Sequence, residues 1–149
     1  MDKKTRELYQ ARNKALNNII KSLTKKGHTI QKLSNDEKKQ YWADFYLDGT
    51  LSKFKMTRNP QVNILFEVMN SGRYSWFELT KADYYIFYIE PEEKIYIIDI
   101  QRTRDYIKNP LHTVEKTTKG SLGNQGWSYM IPIKTLLDYD IIKSIINIK

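Results

Sequence analysis

Trp42-Ala43-Asp44-Phe45-Tyr46-Leu47-Asp48-Gly49-Thr50-Leu51-Ser52-Lys53-Phe54-Lys55-Met56 is the stretch from which the fold can be read. Its two arms, residues 42–47 and 51–56, carry the aromatic and apolar side chains that strands favour. Asp48-Gly49 between them supplies the positive φ angles of a tight primed turn, so the stretch predicts a β-hairpin. Strand alternation then puts Lys53 and Lys55 on one face of the second arm.

Working towards the C-terminus, Pro60 separates the hairpin from a third strand, Val62 to Val68, which Asn70-Ser71-Gly72 interrupts. Thr80 to Asp83 suits a short helical turn ahead of Tyr84 to Ile89, whose unbroken apolar run predicts a strand buried on both faces. Pro91 to Lys94 reads as a turn and Ile95 to Ile100 as a strand. Gln101 to Ile107 reads as a helix that stops before Asn109-Pro110, because the residue before a proline is pushed out of helical space. After a glycine-rich loop, Lys119 to Gly126, come a strand, Trp127 to Ile133, and a closing helix, Lys134 to Tyr139. The loop glycines, Gly120, Gly123 and Gly126, do not make a phosphate loop, since Trp127 and a strand follow where a lysine, a hydroxyl and a helix are needed.

Towards the N-terminus, Leu8, Ala11, Ala15, Ile19, Ile20 and Leu23 give the segment Asp2 to Lys26 one apolar helical face, and Gly27 ends it. Lys14, Lys21 and Lys25 gather on the opposite face. Arg12 instead projects into the apolar arc, where a guanidinium is costly unless paired, so it calls for an acidic partner inside the fold, and Asp44 is our choice. Ser34 and Glu37 form a capping box that starts a short helix before the hairpin.

With 149 residues, 40% of them hydrophobic, the chain can bury one core without covalent staples, and no repeat or linker suggests a second domain, so 1–149 reads as one unit. It contains no cysteine, which excludes disulfides, thiolate zinc sites and cysteine nucleophiles, and leaves His28 and His112 as the imidazoles. The first 27 residues are punctuated by lysine and arginine and offer no unbroken apolar run, so a cytoplasmic protein without a membrane association is expected. The net charge of +8 is unevenly spread. Residues 1 to 60 carry 14 Lys/Arg against 6 Asp/Glu, whereas residues 61 to 149 carry 11 of each. Such a local basic field favours a polyanion as partner, either nucleic acid or an acidic protein surface. Tyr74, Trp76 and Trp127 lie in or beside loops, where rings could stack on bases, while most other aromatics belong to the core.

From Trp42 to about Leu137 the chain resembles a phage branch of the PD-(D/E)XK nuclease superfamily. Three features in order carry the resemblance: the aspartate strand with its hairpin, the strand Asn63-Ile64-Leu65-Phe66-Glu67, and the run Trp76-Phe77-Glu78-Leu79-Thr80-Lys81-Ala82-Asp83-Tyr84-Tyr85. The resemblance implies an α+β, restriction-endonuclease-like fold, a mixed central sheet with flanking helices. It also implies a hard divalent metal held by two carboxylates at neighbouring strand ends, with a lysine two residues after the second. Asp44 matches the first carboxylate and Lys55 the lysine. The second carboxylate is missing, because the strand reads Leu51-Ser52-Lys53-Phe54-Lys55-Met56; its place falls to Lys53 or Leu51 depending on registration, and a lysine there repels a metal.

The reading that follows is a non-catalytic protein on a nuclease-like scaffold, with no cofactor. It would bind nucleic acid or a host nucleoprotein complex, as in phage replication or in blocking a restriction or CRISPR defence. Lys14, Lys21, Lys25, Lys53, Lys55, Arg58 and Trp127 are its candidate contacts. The alternative is a divergent Mg²⁺-dependent endonuclease using Asp44, Glu67 and Lys55, with Asp44 and Glu67, or Asp48, as metal ligands. The oligomeric state is not legible in the sequence.

Overall fold

A computed structural model describes residues 2–118 and 126–148. In chain order its elements are α1 (Lys3–Lys25), β1 (Ile30–Lys32), α2 (Asn35–Tyr41), β2 (Phe45–Leu47), β3 (Thr50–Thr57), β4 (Asn63–Asn70), β5 (Arg73–Tyr74), α3 (Trp76–Leu79), β6 (Tyr84–Ile89), β7 (Lys94–Asp99), α4 (Ile100–Lys108), β8 (Glu115–Thr117), β9 (Trp127–Pro132), α5 (Ile133–Asp138) and β10 (Ile142–Asn147). The chain is α+β, with a mixed six-stranded sheet ordered β1-β2-β3-β6-β7-β10 and a four-stranded sheet ordered β5-β4-β9-β8. Only β3 and β6 run parallel in the large sheet, and a parallel pair needs a crossover connection. Here the crossover consists of β4, β5 and α3.

Strand alternation divides the large sheet into two buried faces. Phe54, Ile86, Ile95 and Ile97 face one way and pack with Ile19 and Leu23 of α1. Tyr85, Phe87, Tyr96 and Ile98 face the other way and pack with Ile64, Phe66 and Ile131 of the four-stranded sheet and with Trp76 and Phe77 of α3. The molecule thus has three layers: α1, the six-stranded sheet, and the four-stranded sheet with its short helices. Both faces of Tyr84 to Ile89 are covered, which explains its unbroken apolar run.

Local chemistry sets the element ends. The Asp2 carboxylate accepts from the Thr5 N–H at 2.7 Å and caps α1, and Gly27, at φ 97°, lets the chain turn away after it. Ser34 and Glu37 form the expected reciprocal cap of α2. Asp48 and Gly49 both take positive φ, 50° and 82°, at the hairpin tip. The Asp48 carboxylate is also held by His28 and by the Thr29 N–H, each at 2.8 Å, and these contacts, the His28 bond first, keep it below the usual carboxylate range.

Several expectations are corrected. The third strand, β4, leaves the central sheet and starts the second one, because its partners are β5 and β9. The helical turn expected at Thr80 to Asp83 lies earlier, at Trp76–Leu79, where the packing of Trp76 and Phe77 on Phe66 favours it. The first arm of the hairpin starts at Phe45, since Trp42 ends α2 in a left-handed conformation. The edge strand β10, absent from the sequence reading, extends the large sheet beyond β7. Of the glycine-rich loop, residues 119–125, with Gly120 and Gly123, lie outside the described residues, and Gly126 directly precedes β9. Among the described residues no helix is long and apolar enough to cross a membrane.

Phe66 lies between the layers, fully buried and in ring contact with Trp76, Phe77 and Tyr85. Phe66→Ala is expected to lower unfolding free energy by about 3–5 kcal/mol in urea titrations, through lost transfer energy and a cavity. Val62→Ala, at a residue 79% exposed, should stay within about 0.5 kcal/mol of the parent.

Candidate functional site

β3 has eight residues but its neighbour β2 has three, so the edge of β3 beyond Ser52 faces no strand. The last backbone bond of the hairpin runs from the Asp44 N–H to the Ser52 carbonyl at 2.9 Å. One step along, side chains replace the missing strand. The Asp44 carboxylate accepts from the Phe54 N–H at 2.7 Å, and the Arg12 guanidinium donates to the Phe54 carbonyl at 3.4 Å. Arg12 also donates to the other Asp44 oxygen at 3.1 Å, the pair anticipated from its place on the apolar arc of α1. Its Cζ lies 5.5 Å from the centre of the Phe54 ring, so the cation also rests on an aromatic face.

Lys53 Nζ stands 3.6 Å from the same Asp44 carboxylate. Both Asp44 oxygens are therefore engaged, one by Arg12 and one by Lys53 and a backbone amide. The β3–β6 register places Lys53 beside Tyr85 and Lys55 beside Phe87, so both lysines face the four-stranded sheet. Burial is the main cause that lowers the Lys53 ammonium below its ordinary range, with Asp44 opposing and Arg12 reinforcing it. Lys55 has no ion pair among the described residues. Burial, and then the charge of Lys53, push it down to about 8, against the attraction of Glu67.

Glu67, on β4, accepts from the Ser75 hydroxyl and from the Asn70 amide, so its own sheet holds it. It shares a cavity of about 240 Å³ with Lys55 and Tyr85, and burial together with this carboxylate raises the Tyr85 phenol well above its ordinary value. These donors do not fit a hard divalent metal. A magnesium ion needs carboxylate oxygens free to coordinate it, whereas Asp44 already balances two cations and Asp48 is tied to His28 at the hairpin tip; Glu67 accepts both of its bonds on Oε1.

Around this cluster opens a cleft of about 720 Å³. Tyr9, Arg12, Asn13 and Leu16 of α1 form one wall, Asn35, Lys38, Lys39 and Trp42 another, and Asp44, Lys53 and Lys55 the floor. Five basic side chains thus meet a single carboxylate, and that carboxylate is already paired. Arg58 lines an adjoining cavity of about 420 Å³ with Leu8, Ala11, Arg12 and Lys55.

Of the residues expected to bind, Lys53 and Lys55 come together in the cleft and Arg58 lies next to it. Lys14, Lys21 and Lys25 do not join them. At about 100° per residue they fall on the side of α1 opposite Tyr9, Arg12 and Leu16, so one flat ligand surface cannot include both sets. Trp127 lies on β9 against Tyr129 and beneath the Lys116 ammonium, away from the cleft lining. Trp76, expected beside a loop and able to stack, is buried in the core, while Tyr74 is exposed on β5. The reading missed Tyr9, Lys38, Lys39 and Trp42. A partial signal for them was present, since Lys38 and Lys39 follow the capping box that starts α2. Comparison with protein-family models, with curated proteins and with solved structures returns no match.

Two outcomes test this description. Asp44→Ala should cost about 3–5 kcal/mol, because it strands buried cations and an edge amide, and adding Lys53→Met should recover part of the loss in urea titrations. Strictly additive costs would show that the pair does not interact. The second outcome is a pH dependence. Between about 8 and the ordinary lysine value of 10.5 the unfolded chain holds the Lys55 proton and the folded chain has released it, so stability should rise with pH in that window. Near pH 10 the raised phenol of Tyr85 begins to oppose the rise, because the folded state keeps that proton longer. Lys55→Met should flatten the increase between pH 8 and 10.

Proposed function

We propose that this chain is a non-catalytic nucleic-acid-binding protein on a restriction-endonuclease-like scaffold, and that it holds the phosphate backbone in the cleft between α1, α2 and β3. The observation that carries this reading is the Lys53–Asp44 pair. A lysine ammonium stands beside the aspartate at the position where the resembled nucleases need a second carboxylate, so the floor of the cleft attracts an anion instead of a metal. The five cations of the cleft, two of them paired with Asp44, supply positive charge of the kind that displaces the counterions condensed on a phosphate backbone. The scaffold reading draws support from the hairpin, with Asp44 leading into its first strand and Lys53 and Lys55 on its second. A module that grips nucleic acid without cutting it suits the phage setting of the resemblance, in replication or in occupying a host defence complex.

Titration with Mg²⁺ or Mn²⁺ should therefore leave single- and double-stranded DNA intact, while the protein binds nucleic acid with an affinity that falls steeply with salt. The logarithmic slope should be about −0.9 per phosphate contact on duplex and about −0.7 on a single strand. Lys38→Gln with Lys39→Gln should reduce the slope, whereas the triple change of Lys14, Lys21 and Lys25 to glutamine should have the smaller effect, since those three point away from the cleft. Metal-dependent cleavage that disappears in Asp44→Ala would sink the proposal and establish the endonuclease alternative.

A further inference from the structure

Resting on the reading of the cleft as a phosphate-binding site, we propose that its ligand is a single strand of nucleic acid, with phosphates against the lysines and bases stacked on Tyr9 and Trp42. Both aromatics open on the same cleft as the five cations, and both stay well exposed, Tyr9 at 57% and Trp42 at 41%. The other two tryptophans are covered by their own neighbours. Burying such rings would stabilise the fold, so two of them left open beside lysines point to a partner with flat faces.

The backbone of Trp42 strengthens the case. It sits at φ 50° and ψ 47°, left-handed space that a bulky side chain adopts only when its surroundings impose it. The surroundings here are backbone contacts. The Thr80 hydroxyl donates to the Trp42 carbonyl at 2.7 Å, and the Lys81 N–H donates to the Tyr41 carbonyl at 2.8 Å. A helix end of this shape normally carries glycine or asparagine, either of which would relieve the strain. The backbone that carries the indole is thus fixed by its own contacts, and the indole itself lines the cleft.

Shape and chemistry select a single strand. A cleft of about 720 Å³ is on the scale of a pocket for a small ligand, whereas a double helix keeps its base faces stacked inside and offers a protein only edges and backbone. Splayed bases on aromatic platforms, with a basic groove following the backbone, are the features by which single strands are held without strong sequence preference. Asn13 and Asn35, on the same walls, can donate to or accept from base edges of any identity.

The test uses the full chain and three labelled probes of equal length: oligothymidylate, oligouridylate and a mixed-sequence duplex, followed by fluorescence anisotropy at low and moderate salt. The single strands should bind about tenfold or more tightly than the duplex. Trp42→Gly, which relieves the backbone strain and so keeps the fold, should weaken single-strand binding by about tenfold and change duplex binding by no more than about twofold. Tyr9→Ala should act in the same direction, and Lys55→Met should weaken all three probes. Equal, salt-sensitive binding of strand and duplex, insensitive to Trp42→Gly, would overturn the single-strand assignment and leave the phosphate cleft standing. Binding of polyglutamate with none of the three probes would overturn both, in favour of an acidic protein partner.

Discussion

The Asp44 carboxylate at the open edge of β3 is the constraint on which the rest of the structure depends. A strand that outruns its neighbour exposes an N–H and a carbonyl, and in a buried setting each must find a partner. Asp44 takes the Phe54 N–H and Arg12 takes the Phe54 carbonyl, so two side chains continue the sheet where the chain itself has turned away. Because Arg12 belongs to α1, the same contacts tie the first layer to the second. Because Asp44 is then a buried anion, it draws Lys53 to itself, and the charge arrangement of the cleft follows from a problem of backbone hydrogen bonding.

Electrostatics then decides what the cleft can hold. The Asp44 carboxylate already faces two cations and an amide, and the positive charges of Arg12 and Lys53 beside it repel a metal ion. Lys55 has the opposite need. It is desolvated, next to a like charge, and without an ion-pair partner among the described residues, so an anion in the cleft would satisfy it. If the resemblance to metal-dependent nucleases holds, the residues that would there bring a cation to a phosphate are here replaced by cations of the protein itself. On the proposed reading, such a site would hold a phosphate backbone without the means to activate water.

The layered packing adds a wall that the hairpin alone could not supply. α1 packs on the face of the large sheet that carries Phe54 and Ile86, and its Tyr9 and Asn13 line the same cleft as α2. The reciprocal cap fixes where α2 begins and the left-handed turn at Trp42 fixes where it ends, and Lys38, Lys39 and Trp42 line the cleft that α1 also lines. The cleft is the gap between two helices that meet through the edge of β3 rather than through each other.

Features governed by local chemistry were legible in the sequence by itself. The hairpin was visible because Asp48-Gly49 permits few other conformations, α1 because its apolar residues repeat at helical spacing, and β6 because an unbroken apolar run of that length suits a strand covered on both faces. Arg12 could be assigned an acidic partner for the same kind of reason, since a cation on an apolar arc needs one wherever the helix packs. The absence of any carboxylate between Leu51 and Met56 was also plain in the sequence. Only the tertiary structure decided which sheet β4 joins, where the short strands β1, β8 and β10 pair, and that Trp76 is core while Trp42 is not. Strand propensity does not specify a partner, and a residue's exposure depends on segments far away in the chain. The lysines of α1 and those of β3 belong to one basic stretch of sequence, yet they point in different directions, because charge adds up along a chain but a binding surface is made only of side chains that the packing turns the same way.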